Sequence, residues 1–395
     1  MEIVHANVIS GGRMLSNGYV RTGGGRITEV GPMAAYVKTG CRALDAKGKT
    51  LCAGYIDQHT HGAMGHDVME AGQEAMDAIC RHHLAAGDVA FLPTTMTASL
   101  GETEAALSFL QNYRPPVPVE VSGVHMEGPF LSIKNRGAHP QAWLCLPCGE
   151  WLELMERYRS LIRLITVSPE LPGMPDFIRF CRELGVVASG GHDDGYDQEI
   201  LPAIDAGLGS VTHIYCCSSG ITREGSPKKR LGLTELALVD DRLYVEAIAD
   251  GNGVPHSLLP LIYRAKGPHR VIFVSDSMAA TGLKPGRYIL GGGESGVDVD
   301  VTKDAAILHG QNLFAGSIAT LSKMVADAVQ KSNIPLVHAV LAATKNPAAL
   351  LGLHHRGDIA PGMSDGMNLL EPDGTLRATI IRERVYIGGV ENHDL

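Results

Sequence analysis

Gly54-Tyr55-Ile56-Asp57-Gln58-His59-Thr60-His61-Gly62 follows a short apolar run, Thr50-Leu51-Cys52-Ala53. Its two histidines stand at i and i+2, so both imidazoles leave the same face at a strand end. That is the geometry of a paired metal ligand. The spacing alone equally suits a chance pair of satisfied polar residues, so the decision rests on what lies further along.

Downstream, strand-like apolar runs alternate with helical segments, the pattern of a parallel α/β fold. The runs are 51–61, 89–97, 119–127, 162–169, 186–192, 210–215, 243–250 and 271–276. Helices are predicted over 73–86, 100–112, 175–184 and 198–206, with the last ones over 318–331 and 335–344. Eight strands with helices between them make an α/β fold of the (β/α)8 TIM-like barrel type, in which functional side chains gather at the C-terminal strand ends. Strand 1 ends in His59 and His61, strand 3 in Glu127, strand 5 in His192, strand 6 in His213 and strand 8 in Asp276. Six metal-competent or acid–base groups at such positions exceed a scatter of core histidines.

Outside the barrel, residues 1–53 read as short β segments broken by Gly11-Gly12 and Gly23-Gly24-Gly25, and residues 357–395 repeat that texture. The two ends are therefore expected to pair into one small β-sandwich domain, with 54–356 as the catalytic barrel.

The composition fits a soluble globular enzyme: 395 residues, 45% hydrophobic, 19% charged, net charge −9. No basic run exceeds Lys228-Lys229-Arg230, which argues against nucleic acid as a partner. No apolar stretch is long enough to span a bilayer and the first residues do not resemble a signal peptide, so no membrane association and a cytoplasmic location are expected. The 8 cysteines fall mostly in apolar segments and read as reduced thiols. Cys145-Leu146-Pro147-Cys148 lacks a second pair and reads as a loop feature.

Imidazole and carboxylate donors suit zinc or another borderline divalent ion, with one position left for water. Glu127, His192 and His213 would hold one ion. His59 and His61 could hold a second, with Glu127 bridging. Asp276 then has an acid–base role, taking a proton from the attacking water and passing it to a leaving amine.

Across nearly its whole length the chain resembles the N-acetylglucosamine-6-phosphate deacetylases of the amidohydrolase superfamily. The resemblance is carried by Ala53–Gly62, His125-Met126-Glu127-Gly128-Pro129-Phe130, Arg136-Gly137-Ala138-His139-Pro140, Ser168-Pro169-Glu170, Gly191-His192, Thr212-His213-Ile214-Tyr215, Asp250-Gly251, Ser275-Asp276-Ser277-Met278, Leu313-Phe314-Ala315-Gly316-Ser317 and Asn346-Pro347-Ala348. It implies a metal-binding barrel with a small β-sandwich, removal of an acetyl group from an amino sugar, and a homodimer. By the same resemblance Glu127, His192 and His213 match the shared metal ligands, His59 and His61 those of two-metal members, and Asp276 the catalytic aspartate. His139 matches a residue that contacts substrate near the reacting amide. No lysine ends strand 4, where other amidohydrolases place a carbamylated bridge, and Glu127 fills that role.

The departures bear on substrate. Cys216-Cys217-Ser218 stands where the family usually has Asn-Ala-Met, which places Cys216 and Cys217 at the sugar. Asp250-Gly251-Asn252-Gly253 replaces Asp-Gly-x-His, so Gly253 stands where a phosphate-binding histidine is expected. His256 and Arg223, with the Lys228-Lys229-Arg230 run, are candidate substitutes; the run also reads as a solvated loop. His125 is either a partner behind the ligands or a satisfied buried histidine. His82 and His83 read as surface or packing residues. The leading reading is a metal-dependent deacetylase of N-acetylglucosamine-6-phosphate, with zinc as one or two ions. The rivals are an amidohydrolase acting on an unphosphorylated or differently substituted N-acyl amino compound, and a catalytically silent sugar-binding protein.

Overall fold

The structure is a computed structural model describing residues 1–223, 227–292 and 296–392. Eight parallel strands run β1 (Tyr55–Thr60), β2 (Asp88–Thr95), β3 (Val124–Glu127), β4 (Ile162–Val167), β5 (Val187–Gly190), β6 (Ser210–Val211), β7 (Tyr244–Ala247) and β8 (Val271–Phe273). Each pairs in parallel with the next. The ring closes just past β8: Asp276 N–H donates to the His59 carbonyl at 2.9 Å and His61 N–H to the Ser277 carbonyl at 2.8 Å. The expected barrel is present.

A helix follows every strand: α1 (Gln73–Ala86), α2 (Leu100–Asn112), α3 (Gly149–Arg157), α4 (Met174–Leu184), α5 (Asp197–Ala206), α6 (Leu233–Val239), α7 (Leu259–Lys266) and α8 (Leu321–Ser332). The local reasons are ordinary ones. Helix α4 buries Met174, Phe177, Ile178 and Cys181, at i, i+3, i+4 and i+7, so one stripe faces the barrel. Ser99 and Glu102 form a reciprocal capping box that starts α2. After α8 come α9 (Leu336–Ala343) and α10 (Lys345–Leu350). Ile56, Ala90, Leu92 and Leu164 from the strands pack with Ala348, Leu351 and Leu353, so apolar side chains fill the barrel below the polar strand ends.

Both chain ends build one further sheet. Strands Glu2–Ser10, Arg13–Gly23, Arg26–Pro32, Ala43–Asp45 and Thr50–Ala53 join Met367–Leu370, Leu376–Ile381, Arg384–Ile387 and Val390–Asn392, the seam being the antiparallel pairing of Thr50–Ala53 with Met367–Leu370. Ile3, Val8, Val20 and Leu51 share one apolar core with Met367, Leu369 and Ile380. Gly54 alone separates this sheet from β1. A Cβ there would lie 2.2 Å from Val89 Cγ1, so only glycine permits the close passage.

One element was not anticipated. After β8 the chain forms a three-stranded antiparallel sheet, β9 (Gly286–Leu290), β10 (Val297–Val301) and β11 (Ala306–Leu308). The alternating Val297-Asp298-Val299-Asp300-Val301 carries the period-2 signal that would have located it.

Candidate active site

The end of strand β1 carries the first two imidazoles, His59 on a bulge and His61 just past the strand. Between Asp57 and Thr60 the pairing with β2 shifts register by one residue, which interrupts the alternation of faces. Asp57 Oδ1 accepts from the N–H groups of His59 at 3.3 Å and Ser275 at 3.2 Å, holding the bulge against the segment after β8. The two histidines come together, with Nε2 atoms 3.3 Å apart.

Glu127, the last residue of β3, is the centre of the site. Its Oε1 lies 3.1 Å from His192 Nε2 and 3.0 Å from His213 Nε2. Its Oε2 lies 3.0 Å from His61 Nε2, 3.6 Å from His59 Nε2 and 3.3 Å from His139 Nε2. One carboxylate oxygen thus faces each histidine pair. Asp276 Oδ1 stands 3.4 Å from His59 Nε2 and 3.5 Å from His61 Nε2. His192, His213 and Asp276 all have positive φ, at 51°, 28° and 46°. Non-glycine residues held there are strained, and such strain concentrates at functional sites.

Most of the remaining imidazole nitrogens are tied down from behind. His192 Nδ1 is 3.0 Å from the Asn135 carbonyl and His213 Nδ1 is 3.1 Å from the Cys216 carbonyl. His139 Nδ1 is 2.8 Å from Thr97 Oγ1. His125 resolves as a satisfied buried histidine, with Nε2 2.8 Å from Thr166 Oγ1 and its ring edge-on to that of His59.

Burial opposes charge on every member, but mutual attraction overrides it for most. Against that penalty, His59 and His139 hold the Glu127 carboxyl well below the usual range. The neighbouring carboxylates lift His59 well above its ordinary value and His61 to about 9. For His139 burial prevails, and its pKa falls to about 4.

The donor set fits a metal. Glu127 with His192 and His213, and His59 with His61 and Asp276, form two buried groups whose ligand atoms converge. Facing imidazole nitrogens at 3.1 Å (His192 and His213) and 3.3 Å (His59 and His61) cannot both present lone pairs without a proton or cation to share. Their spacing approaches the edge of a tetrahedron, about 3.3–3.4 Å for Zn–N bonds of about 2.0–2.1 Å.

A cavity of about 320 Å³ opens over Glu127, His61, His139, His192, His213 and Asp276. Cys216 and Cys217 line it, as do Asp250, Asn252 and Gly253. Met96, Ile248, Leu290, Leu313 and Phe314 form an apolar wall, partly from the inserted sheet and the segment after it. The structure does not bring Arg223 or His256 into that lining: Arg223 is exposed, and the His256 ring lies against Gly251. Lys228 and Lys229 are exposed as well, and Arg230 lies over the Tyr196 ring.

Two groups went unread. Glu246, in the middle of β7, is fully buried and lies behind His59. A lone acidic residue inside the apolar run Leu243–Ala249 was the available signal. His83 is a packing residue, buried and stacked on Phe91 with ring centroids 4.1 Å apart, but it also has a polar partner that was not foreseen: its Nδ1 is 2.7 Å from Asp88 Oδ2, beside Asp57, with all three side chains buried. Helical periodicity could not show that Asp57 and Asp88 point at it.

With the geometry in hand, comparison with known proteins identifies the class. Residues 50–382 match the model of the amidohydrolase family, and the chain belongs to it. More narrowly, it belongs with the N-acetylglucosamine-6-phosphate deacetylases. It is 30% identical to the enzyme of that name from Vibrio furnissii, over 85% of this chain and 82% of the relative. It is also 30% identical to an N-acetylgalactosamine-6-phosphate deacetylase from Escherichia coli O157:H7, over 84% and 86%. The N-acetyl-D-glucosamine-6-phosphate deacetylase from Mycobacterium smegmatis, solved as a mutant with N-acetyl-D-glucosamine-6-phosphate, superposes with a TM-score of 0.88 at 28% identity, covering 99% of this chain and 98% of that one. The protein is a hydrolase acting on amide bonds.

Proposed function

We propose that this chain removes the acetyl group from N-acetylglucosamine-6-phosphate, releasing the free amine and acetate. The observation that carries the reading is the convergence of five histidines on the two oxygens of Glu127, with Asp276 beside them at the cavity floor. Glu127, His192 and His213 would hold one divalent ion, and His59 and His61, with Glu127 shared, a second; zinc suits the donors. When bound, such ions polarise the amide carbonyl and lower the pKa of water.

The protein's own groups supply the rest. Asp276 accepts at a carboxylate oxygen the proton that the attacking water loses, then donates it to the leaving amine nitrogen. His139 presents Nε2 toward the same floor and orients the amide. The apolar wall limits water around the reacting bond. The family likeness carries the further reading of a homodimer, which sedimentation of the purified protein tests; no described helix is long and apolar enough to cross a membrane, and the cytoplasmic location expected from the sequence is kept as part of the proposal.

One observation favours a second reading, an N-acyl amino substrate without phosphate. Among the described residues the cavity lining includes Asp250 but no lysine or arginine. The deciding experiment follows amine release by zinc-loaded enzyme from N-acetylglucosamine-6-phosphate and from the same sugar unphosphorylated. The proposal expects kcat/KM to favour the phosphorylated sugar. A preference for the plain sugar supports the second reading, and activity on neither refutes the deacetylase assignment for these sugars.

A further inference from the structure

The carboxylate of Glu246 contacts two consecutive residues of β1. Its Oε1 accepts from Gln58 Nε2 at 2.6 Å, and its Oε2 lies 3.3 Å from His59 Nδ1 and 3.4 Å from the His213 backbone N–H. Consecutive strand residues normally point to opposite faces; the bulge between Asp57 and Thr60 lets Gln58 and His59 reach one partner. Glu246 is fully buried, so the environment does not dilute its charge with water.

The imidazoles of the site differ in what stands behind them. His192 and His213 place Nδ1 against backbone carbonyls, and His61 Nδ1 has no partner among the described residues. Among the described residues only His59 is backed by a carboxylate. A ligating imidazole must be neutral, with one nitrogen protonated and the other carrying the lone pair. A carboxylate facing Nδ1 holds the proton there and directs the Nε2 lone pair toward Glu127 and Asp276. It also raises the basicity of the ring as a ligand.

From this geometry we infer that Glu246 is a positioning residue: it fixes the tautomer of His59 and thereby sets the affinity of the His59–His61 metal position, separately from the Glu127–His192–His213 position. The inference rests on the two-position reading above. It makes the positions unequal, with the His59–His61 one dependent on a buried negative charge from β7.

The test is zinc binding to the full-length protein, titrated at buffered free zinc, for wild type and for His59→Asn, Glu246→Gln and Glu246→Ala. Two binding classes are expected in wild type, one of them lost in His59→Asn. Both Glu246 variants should weaken that same class by about 10–100-fold and leave the other in place. Melting of the zinc-free proteins separates a folding defect from this effect. Equal weakening of both classes, or wild-type affinity in both Glu246 variants, overturns the proposal. If His59→Asn binds zinc as wild type does, the two-position reading itself falls, and the proposal with it. Cobalt supplies a readout that generalised loosening would not reproduce: only the part of the visible spectrum missing in His59→Asn should weaken in Glu246→Gln.

Discussion

At the scale of single residues, the proposed mechanism divides the site into groups that hold charge and one that moves a proton. Asp276 touches both histidines of β1 yet also opens onto the cavity, so it is placed to exchange protons with a bound substrate. Asp276→Asn should lower kcat by about 10²–10⁴-fold while leaving zinc bound at the Glu127 position; unchanged turnover would remove Asp276 from its role. Glu120 tests electrostatics away from the site. Although burial opposes its charge, Arg356 at 2.7 Å, with Ser122 and His355, lowers its pKa from 4.5 to about 2. A lowered carboxylate pKa contributes stability above the unfolded value and loses it as pH falls through the folded one. The melting temperature of Glu120→Gln should therefore lie below wild type at neutral pH, and the gap should close between about 4.5 and 2. A gap that stays constant across that window would contradict the ion pair. These residues differ in legibility. His59, His61, Glu127, His192, His213 and Asp276 stood out because each ends an apolar run. Arg356 and Glu120 are 236 positions apart and carry no pattern that links them.

At the scale of elements, the strand ends aim the side chains through irregular backbone rather than ideal pleat. Gly316 shows the constraint from outside the barrel. Its φ is +67°, and a Cβ there would lie 2.7 Å from the Asp276 carbonyl, which accepts from Ser317 N–H at 2.7 Å. Gly316→Ala should cost about 1–3 kcal/mol of stability by strain at that backbone, and lower kcat more than a comparably destabilising change elsewhere. Normal kcat at normal metal content would show that Asp276 tolerates the shift. The strands and the longer helices were legible because apolar periodicity reports which face is buried. The bulge in β1 was not, since it depends on which β2 residue stands opposite. The inserted sheet β9–β11 was missed although β10 alternates, because its strands form antiparallel hairpins outside the strand–helix repeat by which the barrel was read.

At the scale of the whole molecule, buried carboxylates and imidazoles from five strands meet at one point, so metal binding and folding stability are coupled. Chelation should abolish activity and lower the melting temperature, and added zinc should restore both. The stabilisation expected is about 4 kcal/mol at free metal about 1,000-fold above Kd. A melting temperature indifferent to chelator would mean the cluster holds its ligands without a cation. The end sheet is continuous with the barrel in sequence, because Thr50–Ala53 runs into β1 across Gly54. By itself, the sequence determined the barrel, the pairing of the chain ends and the six residues at the strand ends, since periodicity and position within an element are local properties. Only the tertiary structure decided that Glu127 gives one oxygen to each histidine pair and that Glu246 stands behind His59. It alone kept Arg223 and His256 out of the cavity and joined His83 to Asp57 and Asp88. Those are distances between residues far apart in the chain, set by closure of the barrel and the bulge in its first strand.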